Sequence, residues 1–503
     1  GKDGGTLVRR ITALEITPKS LELNVGAISG VTAVATFDDG SQADVTGSVQ
    51  WVAQPSDVLQ VEVFSAEDNL ARVETLKEGV AQIVARTGNI QSDGCTVTVK
   101  TAPTGTDGGT QLEEIRAVWV TRFAYSTAAH VTSIINRAAD AGFNTVYFQI
   151  RGNGDAYYKS NLVPWAQKLT GTLGRDPGWD PLQLAIDTAH ARGIQLHAYW
   201  NVFSAWPTPS GCGGAGTCAC TPTQSQSDSC TLPPASPSGM PTHVLRTHPE
   251  WMAVTQAGKN VDSEYYWFSP GNPAVRQHLV AVADELLTKY DVDGLHLDRV
   301  RYPGSTYSHD AASVAAYEAI PQAQRPSWQD WQRQQVNGTV EALYNVVKQR
   351  RPKAVLSASV WGIYKALPGC STSQGYSGYY QDSIAWMKNG QIDAIVPMIY
   401  WDIGSGCTDW AKLLDGFLAG SNGRHVVAGM HALENDKAPQ MDRIRARVEY
   451  ARTVGAAGHS IFASTYLEPK SSGSPTWTEQ WSKFPAAGGP YTQDAGLPEM
   501  TWR

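Results

Sequence analysis

The feature that most constrains the fold is an alternation of short apolar segments with amphipathic helices, which runs through the sequence from Glu113 onward. Val131, Ile134, Ile135 and Ala138 share one face of the first of these predicted helices. Such alternation is typical of a parallel sheet with helices on both faces. The predicted strands are eight: Arg116–Thr121, Thr145–Arg151, Ile194–Trp200, Gly294–Asp298, Val355–Val360, Ala394–Tyr400, His425–Gly429 and His459–Phe462.

Eight βα units in about 350 residues predict an α/β fold, a (β/α)8 TIM barrel. An open doubly wound sheet is the alternative, but it would often show a Gly-rich phosphate loop after its first strand, and Arg116–Arg122 has none. Asn272-Pro273 marks the start of one helix, since Asn is a good N-cap and Pro fits the first helical position. We assign the barrel to residues 112–503, with a Cys-rich insertion at 207–241.

A different pattern precedes the barrel. Residues 1–100 alternate apolar and polar positions in short runs such as Thr32–Thr36 and Cys95–Val99, and Asp38-Asp39-Gly40 is a hairpin-type turn. This pattern predicts a small all-β sandwich. The sandwich resembles bacterial Ig-like domains of group 2 through Ile16–Pro18, Phe37–Ser41, Asp44–Thr46, Val49–Trp51 and Glu78–Ala81. Residues 101–111 are rich in Thr, Gly and Pro and are predicted to form a linker.

Charge and hydropathy exclude some classes of function. The net charge is −7 and no Lys/Arg run occurs, so we expect no nucleic-acid partner. The sequence has no stretch of about 20 apolar residues, which is the length needed to span a bilayer. The polar opening Gly1–Gly5 fits the tether after a processed lipoprotein cysteine and equally an artificial start, so a lipid anchor stays open. We expect an exported monomer that is periplasmic, at the cell surface or secreted.

The seven cysteines also favour export. A disulfide would order the Gly/Ser/Pro/Thr-rich insertion, whereas a zinc site would normally show paired C-x2-C spacing. We therefore favour disulfides, which persist mainly in oxidising compartments. A further bridge between Cys370 and Cys407 would join two barrel loops and leave Cys95 unpaired. The cysteines of the insertion are Cys212, Cys218, Cys220 and Cys230.

Active sites of such barrels lie at the carboxyl ends of the strands. Carboxylates, amides, imidazoles and indoles dominate these positions. Neither a Ser or Cys nucleophile with an adjacent base nor a metal-binding His spacing occurs there, so we expect no metal or cofactor. Seventeen Trp and twenty Tyr suit stacking on a polysaccharide, the expected partner. The candidate binding residues are Arg122, Gln149, Arg151, His197, Trp200, Asn201, His296, Arg301, Trp361, Tyr400, Trp401, His431 and Glu434.

Asp298 is the strongest catalytic candidate. Alternation along Gly294–Asp298 places His296 and Asp298 on one face, directed into the barrel mouth. A buried carboxylate is costly unless it is paired or functional. A buried ion pair with Arg151 or Arg301 is the alternative to a catalytic role.

A second carboxylate is needed if the reaction is cleavage of a glycosidic bond, where one carboxyl protonates the leaving oxygen and the other attacks or stabilises the anomeric carbon. Asp402 follows the sixth predicted strand and is our candidate for the acid/base. The alternative is that Asp402 caps the next turn, a common use of Asp in loops. Glu264 and Glu434 are the spare candidates.

Taken in order, these segments resemble the glycosyl hydrolase-like 10 family, also called domain of unknown function 187. The resemblance implies a TIM barrel that hydrolyses glycosidic bonds in bacterial polysaccharides, with peptidoglycan glycan strands as one target class. It implies Asp298 as nucleophile and, more weakly, Asp402 as acid/base. The matching stretches are Glu114–Val120, Val146–Tyr158, Asp176–Leu182, His197–Asn201, His248–Trp251, Gly294–Asp298, Arg301–Pro303 and Pro397–Tyr400.

One position departs from the family pattern. Many members carry a second carboxylate directly after the strand-four aspartate, and this chain has Arg299 there. We therefore keep two hypotheses: a retaining glycoside hydrolase that uses Asp298 and Asp402, and a catalytically degenerate glycan-binding surface protein. A purely structural platform has no specific support in the sequence.

Overall fold

The structure is a computed structural model that describes residues 9–25, 28–63, 71–100, 112–208, 232–260, 262, 264–433 and 439–502. The chain divides into two compact units, one of residues 1–111, 414–423 and 449–456 and the other of residues 112–413, 424–448 and 457–503. The predicted linker 101–111, the four insertion cysteines and Glu434 lie outside the described residues.

The N-terminal region is all-β, as predicted. Its strands are β1 Ile11–Thr17, β2 Ser20–Asn24, β3 Ile28–Phe37, β4 Gln42–Asp44, β5 Gln50–Gln54, β6 Leu59–Glu62, β7 Ala71–Thr75, β8 Gly79–Thr87, β9 Ile90–Gln91 and β10 Cys95–Lys100. One sheet has the order β1-β3-β7-β6 with β4 beside β3, and the other has the order β2-β10-β8-β5 with β9 beside β8. Ile16, Val31, Ile83 and Val97 form part of a buried core. The Ig-like relationship stays a prediction.

The remaining strands are β11 Leu112–Glu113, β12 Ile115–Val120, β13 Thr145–Arg151, β14 Gln195–Asn201, β15 Ser204–Pro207, β16 Tyr265–Trp267, β17 Gly294–Asp298, β18 Val355–Trp361, β19 Ala394–Met398, β20 His425–His431, β21 Gly458–Phe462 and β22 Ala495–Gly496. The α-helices are α1 Ala128–Asp140, α2 Gln167–Thr170, α3 Pro181–Ala191, α4 Val244–Thr247, α5 Pro273–Lys289, α6 Ala311–Glu318, α7 Trp328–Arg350, α8 Gly375–Gly378, α9 Ser383–Lys388, α10 Trp410–Ala419, α11 Met441–Thr453 and α12 Ser464–Leu467. Short 3-10 helices cover Pro249–Trp251, Gln322–Gln324, Gly406–Thr408 and Trp481–Lys483. None of the described helices is long and apolar enough to cross a membrane.

The predicted TIM barrel is confirmed. Its strands close in the order β12-β13-β14-β17-β18-β19-β20-β21, and each neighbouring pair is parallel. Helix α5 begins as predicted, because the side chain of Asn272 accepts the backbone N–H of Ala274 and Pro273 takes the first helical position. The sixth predicted strand was too long: β19 ends at Met398, and the chain turns where the Ile399 N–H donates to the Pro397 carbonyl.

The barrel interior is filled by aromatic rings around one imidazole. His296 stacks on Tyr147, with ring centroids 3.9 Å apart, and Trp119 donates from Nε1 to His296 Nε2 at 2.9 Å. Ser357 and Ser359 contact its two ring nitrogens, each at 2.8 Å. Burial lowers the pKa of His296 well below its usual value, with His197 as a smaller cause. His296 is therefore a neutral core residue that positions the strands.

The end of the chain lies at the amino ends of the strands. β22 pairs in parallel with β11, and Trp502 donates from Nε1 to Asp393 at 3.1 Å. Residues 497–500 help to line a cavity of about 340 Å³, together with the first residues of several strands. This lower cavity lies at the opposite end of the barrel from the expected active site.

Candidate active site

The carboxyl ends of the barrel strands surround a cavity of about 620 Å³. The loops that follow the strands and the β15–β16 hairpin region supply its walls, so the cavity lies where a barrel enzyme binds substrate. Its lining residues are Thr121, Arg122, Phe123, Gln149, Tyr199, Asn201, Asp262, Glu264, Tyr265, Asp298, Arg299, Arg301, Pro303, Trp361, Tyr379, Met398, Tyr400, Phe462, Ala463, Thr465 and Tyr466.

Asp298 lies at the end of β17, and both of its carboxylate oxygens accept hydrogen bonds. Oδ1 accepts the backbone N–H of Arg299 and Oδ2 accepts the hydroxyl of Tyr199, each at 2.7 Å. Arg299 itself has a left-handed backbone conformation, with a φ of 49°, which sets the direction of its side chain and of the chain that follows. Asp298 forms no ion pair among the described residues, so the buried pair with Arg151 or Arg301 is not present.

Two further carboxylates line the same cavity. Glu264 is more than half exposed, and its Oε2 accepts from Arg299 Nη2 at 2.7 Å. Asp262 is held by the residues that directly follow it. Its Oδ1 accepts the N–H groups of Glu264 and Tyr265, and its Oδ2 accepts the Nε1–H of Trp267 at 2.6 Å. Arg299 thus contacts Asp298 through its main chain and Glu264 through its side chain.

Tyrosine hydroxyls beside Asp298 are poor acids. Burial raises the pKa of Tyr199 well above its usual value, and the nearby Asp298 carboxylate adds to this rise. The pKa of Tyr400 is raised for the same two reasons in the same order. Both hydroxyls therefore stay protonated, and Tyr199 donates its proton to Asp298 without losing it.

Arginines and aromatic rings form the upper walls. Arg122 donates to the hydroxyl of Tyr265 at 3.1 Å, and its guanidinium lies 4.4 Å from the ring centroid of Phe123. Phe123 is 64% exposed at the rim. Together with Trp361 and Tyr379, this ring gives the cavity flat apolar faces of the kind on which sugar rings stack.

A model of the glycosyl hydrolase-like 10 family matches residues 114–416. The chain belongs to this family. Glycosyl hydrolase YngK of Bacillus subtilis (strain 168) is 28% identical over 321 residues, which cover 60% of this chain and 57% of YngK. Glycosyl hydrolase DigH of Escherichia coli (strain K12) is 28% identical over 269 residues, which cover 52% of this chain and 55% of DigH. The chain thus spans less than two thirds of either relative.

Among solved structures, the PgaB (BpsB) glycoside hydrolase domain from Bordetella bronchiseptica aligns with a TM-score of 0.46 and 14% identity, over 71% of this chain and 95% of that one. Within the part of the glycosyl hydrolase-like 10 barrel that the structure describes, no group of three or more His, Cys, Asp or Glu side chains could hold a metal ion.

Several of the predicted site residues meet in the cavity of this glycosyl hydrolase-like 10 barrel. Gln149 connects two of them, because its Oε1 accepts the N–H of Arg122 at 2.9 Å and its Nε2 donates to Asn201 Oδ1 at 3.2 Å. The predicted residues that line the cavity are Asp298, Arg122, Gln149, Asn201, Arg301, Trp361 and Tyr400, together with the spare candidate Glu264.

The placement of Asp402 differs from the prediction that it is the acid/base. It lies in the loop beyond β19 and does not line the cavity. Its carboxylate instead pairs with Arg443, at 3.1 Å, and with Arg447. A carboxylate neutralised by two guanidinium groups away from the cavity cannot protonate a leaving group there.

Three other predicted residues do not line the cavity. His296 belongs to the core described above, and His197 lines the lower cavity because it is only the third residue of β14. Arg151 is fully buried and donates from Nη1 to the carbonyls of Asn201 and Val202, at 2.7 and 3.2 Å.

The remaining predicted residues also lie off the cavity surface. Trp200 is buried with the Arg151 guanidinium 5.1 Å from its ring centroid, and Trp401 does not line the cavity. His431 lies behind Tyr400, with ring centroids 5.2 Å apart. Glu434 is outside the described residues.

Sequence reasoning missed some lining residues. Tyr199 could have been found, because it lies two positions before Asn201 on the same strand and so faces the same side. Asp262, Tyr265 and Phe123 follow no period that marks them as site residues.

Proposed function

We propose that this protein is a glycoside hydrolase that cleaves glycosidic bonds in a bacterial polysaccharide, either a peptidoglycan glycan strand or an exopolysaccharide. The observation that carries the proposal is the Asp298 carboxylate, which lines the cavity with both oxygens oriented by hydrogen bonds and neither in an ion pair. A carboxylate fixed in this way is ready to attack an anomeric carbon without reorganisation.

A retaining mechanism needs a second carboxyl, and we assign this role to Glu264 in place of Asp402. Of the other cavity carboxyls, Asp262 accepts three hydrogen bonds from Glu264, Tyr265 and Trp267, whereas the Glu264 carboxyl is exposed to the cavity and pairs with Arg299. The Arg299 residue links Glu264 to Asp298 and so fixes their relative position.

The reaction needs Glu264 in its protonated form, which takes up a proton from solvent and gives up the ion pair with Arg299. In the first step, an Asp298 oxygen then forms a bond to the anomeric carbon while the glycosidic C–O bond breaks and Glu264 gives that proton to the leaving oxygen. In the second step, water attacks the anomeric carbon, Glu264 takes a proton from that water, and Asp298 leaves as the free carboxylate. The sugar keeps its anomeric configuration because it is inverted twice.

The test begins with a screen of purified protein against peptidoglycan, amino-sugar exopolysaccharides and α-glucans for release of reducing ends. On the substrate found, Asp298→Asn should lower turnover by roughly 10⁴-fold with little change in melting temperature. Asp402→Asn is the matched control and should retain turnover. NMR of the first product should show the retained anomer, and azide should rescue Glu264→Gln.

Wild-type turnover in Asp298→Asn would refute the assignment of the nucleophile. Glycan affinity without release of reducing ends, even after long incubation, would identify the alternative, a degenerate barrel that only binds glycan.

We also propose that the protein works outside the cytoplasm. The disulfide between Cys370 and Cys407 supports this location, since such bonds persist mainly in oxidising compartments. Thiol counting on protein isolated from separated cell fractions tests it.

A further inference from the structure

One cation in the cavity, Arg301, forms no ion pair with the carboxylates that the structure describes. The Arg301 guanidinium lies between three rings, with its central carbon 5.1 Å from the centroid of Trp267, 5.5 Å from that of Trp361 and 4.4 Å from that of Tyr379. Within the described part of the chain, its hydrogen bond goes from Nη1 to the carbonyl of Tyr302 at 3.0 Å. Among the residues that the structure describes, no carboxylate forms an ion pair with it.

The carboxylates of the cavity are engaged elsewhere. Asp298 accepts from Tyr199 and from a backbone N–H, Glu264 pairs with Arg299, and Asp262 accepts from its own hairpin. Each therefore has donors other than Arg301. A guanidinium has five N–H donors, so most of those on Arg301 remain available to a ligand in the cavity.

A second cation makes this arrangement more costly. Arg299 lies 5.8 Å from the centroid of the Trp267 ring that Arg301 also contacts. Burial, and next the charge of Arg299, lower the pKa of Arg301 to about 10. Arg299 is neutralised by Glu264, and the Asp298 and Asp262 carboxylates offset only part of the effect of burial and of Arg299 on the pKa of Arg301. An anionic ligand that contacts Arg301 directly would therefore stabilise its charge further.

We propose that Arg301 is the receptor for a carboxylate carried by the glycan, so that the substrate is an acidic polysaccharide. The ligand class rests on the proposed function, whereas the anion preference rests on the cavity alone. The planar fork of Arg binds a carboxylate through two parallel hydrogen bonds, and Trp361 and Tyr379 offer apolar faces beside it for the ring that bears the carboxylate.

The test measures binding by calorimetry in the Asp298→Asn background, so that no turnover interferes. The first probe is a tetrasaccharide of alternating glucuronic acid and N-acetylglucosamine, compared with the same tetrasaccharide after reduction of its carboxyls to alcohols. The second is a tetrasaccharide of N-acetylglucosamine and N-acetylmuramic acid, compared with its lactyl methyl amide. The two pairs distinguish a ring carboxylate from an ether-linked one.

At least one acidic probe should bind about tenfold more tightly than its neutral partner. Arg301→Gln should remove that preference, and Arg301→Lys should keep part of it, because Lys keeps the charge but loses the fork. Arg325→Gln is the control: its guanidinium also lies over a ring, that of Tyr317, and donates to carbonyls, but outside the cavity.

Equal affinity for both members of both pairs, no binding of any probe, or a preference that survives Arg301→Gln would overturn the inference. Hydrolysis by the wild-type protein is scored separately. Loss of the acid preference with hydrolysis intact rejects only the Arg301 receptor, and an acid preference without hydrolysis rejects only the proposed activity.

Discussion

The Asp298 carboxylate accepts hydrogen bonds from two neutral donors, the hydroxyl of Tyr199 and the main-chain N–H of Arg299. Neither donor is a charged side-chain group. Had an arginine paired with this carboxylate, its charge would have been neutralised and its attack on a sugar carbon weakened. The residue after Asp298 is strained, because Arg299 adopts a positive φ of 49°, which costs of order 1 kcal/mol in a residue other than glycine. With this backbone, the N–H of Arg299 holds Asp298 Oδ1 while its side chain reaches Glu264.

Tyr199→Phe tests the hydroxyl donor. The change removes the 2.7 Å hydrogen bond to Asp298 Oδ2 and little else, because Phe fills the same buried space. A hydrogen bond to a charged group contributes about 1.5–3 kcal/mol, so kcat should fall by roughly 10- to 100-fold while KM changes little. Tyr147→Phe, a buried residue of the neighbouring strand, should leave kcat unchanged. Wild-type kcat in Tyr199→Phe would mean that the hydroxyl does not orient the nucleophile.

The loops after β18 and β19 are joined by the disulfide between Cys370 and Cys407, as the sequence predicted. These strands and their loops carry Trp361, Tyr379 and Tyr400 into the cavity wall. The bridge closes a segment of 37 residues and so limits the freedom of this wall in the unfolded chain.

Replacing both cysteines by serine should lower the free energy of unfolding by up to about 4 kcal/mol, from the loop entropy of a segment of this length. Urea unfolding with and without a reductant measures the effect. The reductant should destabilise the wild-type protein more than the double variant, because both proteins keep the cysteines of the insertion and only the wild-type protein has the bridge between Cys370 and Cys407. Identical unfolding curves for the two oxidised proteins would contradict the prediction.

Apolar periodicity was enough to predict the eight strands, because a strand buried on both faces must be apolar almost throughout. It also predicted the position of Asp298 at the end of the fourth barrel strand, because the predicted strand has the same bounds as β17. Alternation predicts which side of a strand a residue faces, but not its height in the barrel. For this reason His197 and His296 were placed at the mouth, although they lie below it.

The segment around β16 was predicted only in part, because Glu264 was a spare catalytic candidate whereas Asp262 and Tyr265 were not named. All three lie in the connection between the third and fourth barrel strands, and it is the fold of this connection that brings them to the cavity of Asp298. Asp402 was misplaced for a related reason: β19 ends early, so the carboxylate follows a turn whose direction depends on Arg443 and Arg447.

Buried histidines connect the stability of the whole molecule to pH. Burial lowers the pKa of His243 to about 4 and that of His296 well below its usual value of 6.5. His243 is held as a neutral ring, with Nε2 2.7 Å from the carbonyl of Asn153 and Nδ1 accepting from the Leu245 N–H. The unfolded chain takes up a proton near pH 6.5, whereas the folded chain resists it.

The stability that His243 contributes is thus present above about pH 6.5 and is lost as the pH falls toward 4, at about 1.4 kcal/mol per pH unit. His243→Gln keeps a donor and an acceptor but does not titrate, so its free energy of unfolding should fall less steeply between pH 6.5 and 4. Denaturant unfolding across this range measures the slope. His130→Gln, at an exposed position, should match the wild-type slope, and an equal slope in His243→Gln would argue against the prediction.

The cluster of His296, Trp119 and Tyr147 beneath Asp298 limits the routes by which water and ligands can reach the cavity. The cavity at the carboxyl ends of the strands and the lower cavity share no lining residue, and the His296 cluster lies between them. In its described part, the barrel therefore has no channel that connects the two cavities. In the proposed hydrolysis, the water that completes the reaction and the departing sugars would pass through the same rim as the incoming chain. A long polymer lying across Phe123 would delay that water and give a sugar hydroxyl time to take its place.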